Sequence, residues 1–236
     1  MGGSVACSFS GGKDSTVLLH LVRSLYPNTP AAFADTGLEF PEIREFVKTV
    51  DNVVTIRPAK SFRQVIEEYG YPVIGKEVAN VIEGARKGQA YRTKRLDPEY
   101  KSRFNVSKYA FLLDAPFKIS DRCCYWMKKS PMDKYWRKEG LYPILGTMAE
   151  ESSLRTQKWL QHGCNMIDSK SPKSQPISFW TEKDIWEYIN HFGLEVAEPY
   201  HMGYKRTGQR KQLKKLQRRF RVSFKSGMTL GIFTRS

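Results

Sequence analysis

Between an apolar run, Val5 to Phe9, and a segment of helical period, Val17 to Val22, stands the string Ser8-Phe9-Ser10-Gly11-Gly12-Lys13-Asp14-Ser15-Thr16. Gly11 and Gly12 leave the backbone open to close approach, and the first N–H groups of a helix are unpaired and carry the positive end of its dipole. Ser10, Ser15 and Thr16 add hydroxyl donors, and Lys13 adds a charge. The chemistry is anion binding, and phosphate or pyrophosphate is the ligand that such a turn would hold. A glycine-serine turn can also be a plain connector; the whole string, placed after an apolar strand, is what singles this one out.

Three other groups could do chemistry. Asp35 closes the apolar run Pro30 to Ala34, where it would either meet a ligand or cap the next helix. Cys123 and Cys124 sit side by side next to Arg122, Lys128 and Lys129. Adjacent sulfurs do not close a strain-free disulfide, so the choices are a lowered thiol pKa or metal ligation. Glu150, Glu151, Ser152 and Arg155 fall within about a turn and a half, and an arginine fork can pair two phosphate or sulfate oxygens at once. Surface decoration is the plain alternative there.

The elements that must position these groups alternate. Strands are expected at Val5–Phe9, Pro30–Asp35, Asn52–Ile56 and Leu141–Gly146. Helices are expected after the glycine turn, through Val47 once Thr36–Glu42 has turned into it, over Phe62–Tyr69, from Thr147 and from Thr181. Strands alternating with helices imply a parallel sheet, with ligands beyond its carboxyl edge at the switch point. Both the glycine turn and Asp35 would lie on that edge. Thr181 reads as an N-cap, with Glu182 and Asp184 in the first turn.

The chain has 236 residues and a net charge of +15. From Lys205 onward there are 11 Lys/Arg and no Asp/Glu, which leaves 28 basic against 24 acidic residues, or +4, before it. That size suits one sizeable core, expected over 1–208 with a basic insertion at 84–108, followed by a basic tail at 209–236. The insertion reads as solvated, or as a flap that attracts a polyanion. The tail, with Leu213, Leu216 and Phe220 at helical spacing among cations, suits nucleic acid, an acidic membrane surface or an acidic protein. No stretch reaches the apolar length of a membrane span, and no signal peptide pattern is present, so a cytoplasmic protein is expected. Four cysteines without an export signal are expected as reduced thiols, Cys7 among them as core packing.

Ser-Gly-Gly-Lys-Asp-Ser after a strand resembles the pyrophosphate-binding loop (PP-loop) of the adenine nucleotide alpha-hydrolase superfamily, whose members split ATP between its α and β phosphates. The Walker spacing is absent. Asp35-Thr36-Gly37-Leu38-Glu39-Phe40-Pro41-Glu42 looks like the second-strand motif of phosphoadenosine phosphosulfate (PAPS) reductases. Pro176 to Ile189 resembles their Pro-x-x-x-Trp-Thr-x-x-Asp-x-Trp-x-Tyr-Ile signature. On these motifs the chain is similar to the PAPS reductase-like family from about residue 5 to residue 208.

The resemblance implies a three-layer, Rossmann-like α/β fold with a mostly parallel sheet. It also implies ATP or PAPS as bound nucleotide, with Mg2+ near Asp14. In it, Ser8, Ser10, Gly11, Gly12, Asp14, Ser15 and Thr16 would hold phosphates, and Asp35, Thr36 and Gly37 would border the adenosine. Lys76, after a Tyr-Gly-x-Pro turn, would contact phosphate or sulfate. Glu151, Ser152 and Arg155 would face the anionic end, with Lys13, Asp14 and Arg155 as the catalytic set.

Two departures matter. Met148 stands where the family's Gly-x-Arg-x-x-Glu-Ser-x-x-Arg run has its first arginine. Gly203-Tyr204-Lys205-Arg206-Thr207-Gly208 continues into Gln209-Arg210-Lys211-Gln212 where relatives carry Cys-x-x-Cys. Cys123, Cys124 and Cys164 then leave at most three soft ligands, so structural thiols or a partial or zinc site are expected in place of a four-iron cluster. The expected function is splitting of ATP at the α phosphate in sulfur metabolism or sulfur transfer. The alternatives are thiol-dependent reduction of PAPS or its unphosphorylated analogue to sulfite, and a nucleotide- or nucleic-acid-binding component without its own turnover. Self-association is left open.

Overall fold

The structure, a computed structural model, describes residues 4–167, 169, 171–205 and 207. The basic run expected as a tail, 209–236, lies outside the described residues. The chain forms two compact units, one from residues 1–59 with 127–208 and one centred on 60–126.

The first unit opens with β1 (Val5–Phe9), α1 (Lys13–Leu25), β2 (Ala31–Ala34), α2 (Pro41–Lys48) and β3 (Val53–Ile56). The second holds α3 (Phe62–Tyr69), α4 (Lys76–Arg86) and α5 (Ala90–Lys94). A π-helical turn, Tyr125–Lys129, leads into α6 (Ser130–Glu139). The first unit is completed by β4 (Tyr142–Leu145), α7 (Ser153–His162), β5 (Asn165–Met166), β6 (Lys173–Ser174) and α8 (Glu182–Phe192).

The strands make one six-stranded sheet in the order β3-β2-β1-β4-β6-β5. All pairings are parallel except β5 with β6. Sequence order runs outward from β1 through β2 to β3, then jumps across β1 to β4. The switch point is therefore between β1 and β4, the place beyond the strand ends where sheets of this kind take ligands.

Alternation along the strands fills both faces. Cys7, Phe9, Ala31, Phe33 and Ile144 join one core with Val17, Leu18 and Val22 of α1, Ile43 and Val47 of α2, and Ile185 and Ile189 of α8. Ala6 and Ala32, on the opposite face, meet Met132 and Trp136 of α6. Side chains at i and i+2 share a face, so helices cover the sheet on both sides. The two faces are filled differently: on the α6 side the central strands β1 and β2 supply bare methyl groups, and Met132 and Trp136 of the helix supply the volume.

The second unit has its own core of Val78, Val81 and Ile82 from α4 with Leu96, Val106, Leu112 and Ile119. Ser61 and Gln64 form a capping box at the start of α3. Arg86 donates to the carbonyl oxygens of Leu112, Leu113, Ala115 and Phe117, tying α4 to the chain's return. The stretch 84–108 is thus partly internal. Leu96 and Val106 are buried, as is Arg95, which pairs with Glu77 and donates to the Phe104 carbonyl. Its other Lys and Arg side chains are exposed or half-buried.

Candidate functional site

The strand-turn-helix expected at the start of the chain is present. Gly11 has φ +68°, in the left-handed region where glycine is at ease, and a Cβ there would stand 2.8 Å from Ile43 Cγ2 and 3.0 Å from Val47 Cγ2. α2 is packed so closely beneath the turn that no side chain fits. Gly12 is the residue before α1, which has no side-chain cap. The first amides of the helix therefore need acceptors from outside it.

Inside the turn the hydroxyls are already engaged. Ser15 Oγ and Thr16 Oγ1 donate to the Gly12 carbonyl at 2.8 and 3.1 Å. The Ser10 N–H donates to Ser15 Oγ at 3.1 Å, and the Gly12 N–H donates to Ser10 Oγ at 3.4 Å. These bonds set the curvature of the loop. Ser8 lies within β1, in register with Ala32 and Leu145.

Lys13 is turned inward. Its ammonium lies 2.6 Å from Asp14 Oδ1 and 3.8 Å from Glu182 Oε1, about the first turn of α8, and 6.0 Å from the Trp186 ring centroid. It is 3% exposed, and a charge so deep requires such partners. On the β4 side, a Cβ at Gly146 would be 3.1 Å from the Asp14 carbonyl oxygen, so the chain leaving β4 runs against the start of α1.

Asp35 ends β2 on the same edge and is 6% exposed. Arg44 donates to its Oδ2 at 2.8 Å, the Gly37 N–H donates to Oδ1 at 3.1 Å, and Arg57 Nε lies 3.6 Å from Oδ2. Burial by itself would raise this carboxyl, but the bonds from Arg44 and Gly37, with the charges of Arg44 and Arg57, hold it below the usual carboxylate value. Asp35 is therefore an ion-pair centre. Thr36 donates through N–H and Oγ1 to Glu39, which Lys128 approaches at 3.3 Å.

After β4 the chain differs from expectation. No helix starts at Thr147; Ala149–Glu151 makes one 3₁₀ turn, and α7 begins at Ser153 with Ser152 as its cap, its Oγ accepting from the Arg155 N–H. Ser152 is extended, at φ −169° and ψ 150°, which separates the 3₁₀ turn from α7, and the Ala149 N–H donates to the Ser178 carbonyl at 2.7 Å. Arg155 is paired with Glu151, and Glu151 Oε2 also accepts from the Met148 N–H at 3.1 Å. Met148, in the place of the absent arginine, is buried in the core.

The cysteines do not gather. Cys7 is core packing as expected, and burial pushes its thiol up to about 11. Cys123 is buried, and its hydrogen bond with Cys124 together with burial raises its pKa. Cys124 is half-buried and hydrogen-bonded with Lys76. Burial alone would lower the Lys76 ammonium, but that bond and the neighbouring Cys123 and Asp121 hold it above its ordinary value. Cys164 Sγ accepts from Ser178 Oγ at 3.2 Å. Among the described residues no three of His, Cys, Asp and Glu stand together as a metal needs. The three sulfurs expected as a ligand set, Cys123, Cys124 and Cys164, each lie against their own neighbours. Among the described residues they do not form the four-sulfur set that an iron-sulfur cluster takes.

Two residues at the loop carry no signal in the turn itself. The Lys13 N–H donates to the Tyr200 hydroxyl at 3.0 Å, and that hydroxyl lies 3.2 Å from Thr207 Oγ1. Both belong to the segment around Gly203-Tyr204, which the sequence marks only for its missing cysteines. Arg44 and Arg57 are likewise unannounced, being ordinary cations until the fold brings them to Asp35.

The profile of the phosphoadenosine phosphosulfate reductase domain matches residues 4–75 and 76–214. The chain is similar to sulfate adenylyltransferase subunit 2 of Klebsiella pneumoniae, 30% identical over 198 residues, which is 81% of this chain and 58% of that protein. The same subunit of Escherichia coli O9:H4 (strain HS) is 31% identical with equal coverage. The chain thus spans about three fifths of the length of these relatives. Among solved structures, the PAPS reductase from Candida auris in a phosphate complex superposes with a TM-score of 0.52 at 15% identity. The match covers 87% of this chain and 80% of that one, a likeness of fold.

Proposed function

Because the chain belongs to the phosphoadenosine phosphosulfate reductase domain family, we propose that it binds ATP on the β1–α1 loop and splits it at the α phosphate in sulfur metabolism. The observation that carries this reading is the loop itself: a helix start after two glycines, with no side-chain cap from Gly12, at the switch point of a parallel sheet. The relatives named sulfate adenylyltransferase subunit 2 support ATP over PAPS as the substrate and an oxyanion of sulfur as the acceptor. Their designation as one subunit supports a partner chain for the full reaction.

In the proposed reaction an acceptor oxygen attacks the α phosphorus. The bond from that phosphorus to the oxygen bridging the α and β phosphates breaks, and pyrophosphate leaves with the bridging oxygen. The products are a mixed anhydride of adenylate and the acceptor, and pyrophosphate. The α1 amides would hold the leaving phosphates and stabilise the charge that collects on them. Asp14, the loop's one carboxylate and partly open to solvent, fits the single protein carboxylate that Mg2+ on a nucleotide commonly uses. Mg2+ there would supply charge neutralisation. Lys13, released from Asp14, would keep its charge against the phosphates. Asp35, Thr36 and Gly37 on the β2 edge would wall the nucleoside, and Arg155, exchanging Glu151 for substrate, would meet the anionic end. Lys76 keeps a phosphate or sulfate contact as its proposed role.

Calorimetric titration with ATP and Mg2+, followed by assay of pyrophosphate release with sulfate present, tests the proposal. Binding with release is the expected result. Absence of ATP binding refutes it, and binding without release, even with candidate partner chains added, leaves a nucleotide-binding component. Sulfite formed from PAPS and a thiol donor would put reduction in its place.

A further inference from the structure

The polar surroundings of Gly12 are unusual for an uncapped helix start. A Cβ on this glycine would meet three hydroxyl oxygens: Tyr200 Oη at 3.2 Å, Ser10 Oγ at 3.3 Å and Thr207 Oγ1 at 3.5 Å. One of them, Tyr200 Oη, accepts the Lys13 N–H, the first amide of α1 and one of those that an anion at a helix start would take.

Tyr200 is not there by looseness. It ends the 3₁₀ turn Glu198–Tyr200, in which Pro199 is fully buried and the Tyr200 N–H donates to the Ala197 carbonyl at 3.0 Å. Its ring stands edge-on to Trp186, centroids 5.9 Å apart at 81°. The turn is rooted in the core, and only the hydroxyl tip reaches the loop.

We propose that the Tyr200 hydroxyl, backed by Thr207, is a built-in stand-in for a nucleotide phosphate oxygen, and that nucleotide binding displaces it from the Lys13 amide. The proposal rests on the reading of the loop as a nucleotide site. A neutral phenol oxygen satisfies the amide in the empty protein, while an anionic oxygen makes a charge-assisted bond and gains from the helix dipole as well. Tyr200 is thus a competitor held in the fold, and it lowers affinity by the worth of its own bond.

Deleting the hydroxyl while keeping the ring gives a test of sign. With the full chain and calorimetric titration by ATP and Mg2+, and separately by inorganic pyrophosphate, Tyr200→Phe is expected to bind about three- to tenfold tighter than wild type, the span for one neutral hydrogen bond. Thr207→Val, which removes the support and not the stand-in, is expected to shift affinity in the same direction by less. Thermal melts supply a second readout. Without nucleotide Tyr200→Phe melts below wild type, and at saturating nucleotide the gap closes, because wild type no longer has the bond to lose. Weaker or unchanged binding by Tyr200→Phe overturns the stand-in and makes the hydroxyl a ligand contact or a bystander. A melting deficit that persists at saturation also overturns it, since that marks a packing role. If wild type binds neither ligand, the nucleotide reading itself fails; if wild type binds and Tyr200→Phe matches it, only the stand-in fails.

Discussion

The β1–α1 loop and the Cys123–Cys124 corner of the second unit are both short strings of reactive residue types, and the fold treats them in opposite ways. At the loop the functional groups are main-chain amides, supplied by the start of a helix. Ser10, Ser15 and Thr16 hold its curve from within. At the cysteine corner the groups are side chains that would need further ligands from elsewhere. They have instead settled on what is near: Cys123 against Cys124, and Cys124 against Lys76. A motif whose chemistry resides in the backbone completes itself, whereas one that lives on side chains depends on partners that the string does not contain.

The hardest blow to this contrast is a side chain at Gly11. Gly11→Val places a β-branched residue at φ +68° with Ile43 Cγ2 2.8 Å from its Cβ. Left-handed strain of about 1–2 kcal/mol adds to overpacking of about 1–3 kcal/mol, for a loss of about 2–5 kcal/mol in urea melts and loss of nucleotide binding. Wild-type stability in that variant would mean that the loop's shape does not depend on the glycine.

Next in size is Asp35→Asn, expected to cost about 1–2 kcal/mol near neutral pH. A charged hydrogen bond is lost, discounted because Arg44 is open to solvent. The sign with pH is fixed by the lowered carboxyl. Its contribution is full above the unfolded value of about 4 and fades as pH falls through the lower folded value. The gap between wild type and Asp35→Asn should therefore shrink in melts taken from pH 6 down toward pH 2; a gap that widens on acidification rules out the ion pairs as its source.

Thr181→Ala, which removes the capping box over α8, should cost about 1 kcal/mol. If it also weakens ATP binding, α8 positions Lys13 through Glu182 and Trp186; if it does not, the loop is as self-contained as its hydrogen bonds imply.

The mildest test leaves stability untouched and addresses the other corner. Alkylation of the native protein at pH 8 should modify Cys124 and Cys164 well before Cys7 and Cys123, whose thiols are buried and raised. Metal analysis after anaerobic purification should find less than one iron or zinc per chain. A brown protein with four irons per chain would erase the contrast.

Sequence alone reached the loop, the β2 edge and the α8 cap because each is written in neighbouring residues: glycines between strand and helix, a carboxylate at a strand end, Thr181 three before Asp184. It did not reach Arg44 or Arg57, since nine and twenty-two residues separate them from Asp35 and only the β2–α2–β3 path brings them to it. The start of α7 falls later than Thr147 because Ser152 is extended and caps the helix from there. α6 has a start signal, Pro131 in its first turn, that the flanking cations obscure. Tyr200 and Thr207 belong to a run recognisable by its glycines, but nothing local says that a hydroxyl will reach an amide 187 positions back.

The lopsided filling of the sheet limits how this chain can change. Ala6 and Ala32 have no exposed surface and face the indole of Trp136 and the thioether of Met132. A larger residue at either alanine has nowhere to go unless the helix opposite gives up bulk, so a tolerated Ala32→Val should arrive together with a smaller ring at 136. Substitutions on that side are expected to come in compensated couples, and each alone to be selected against.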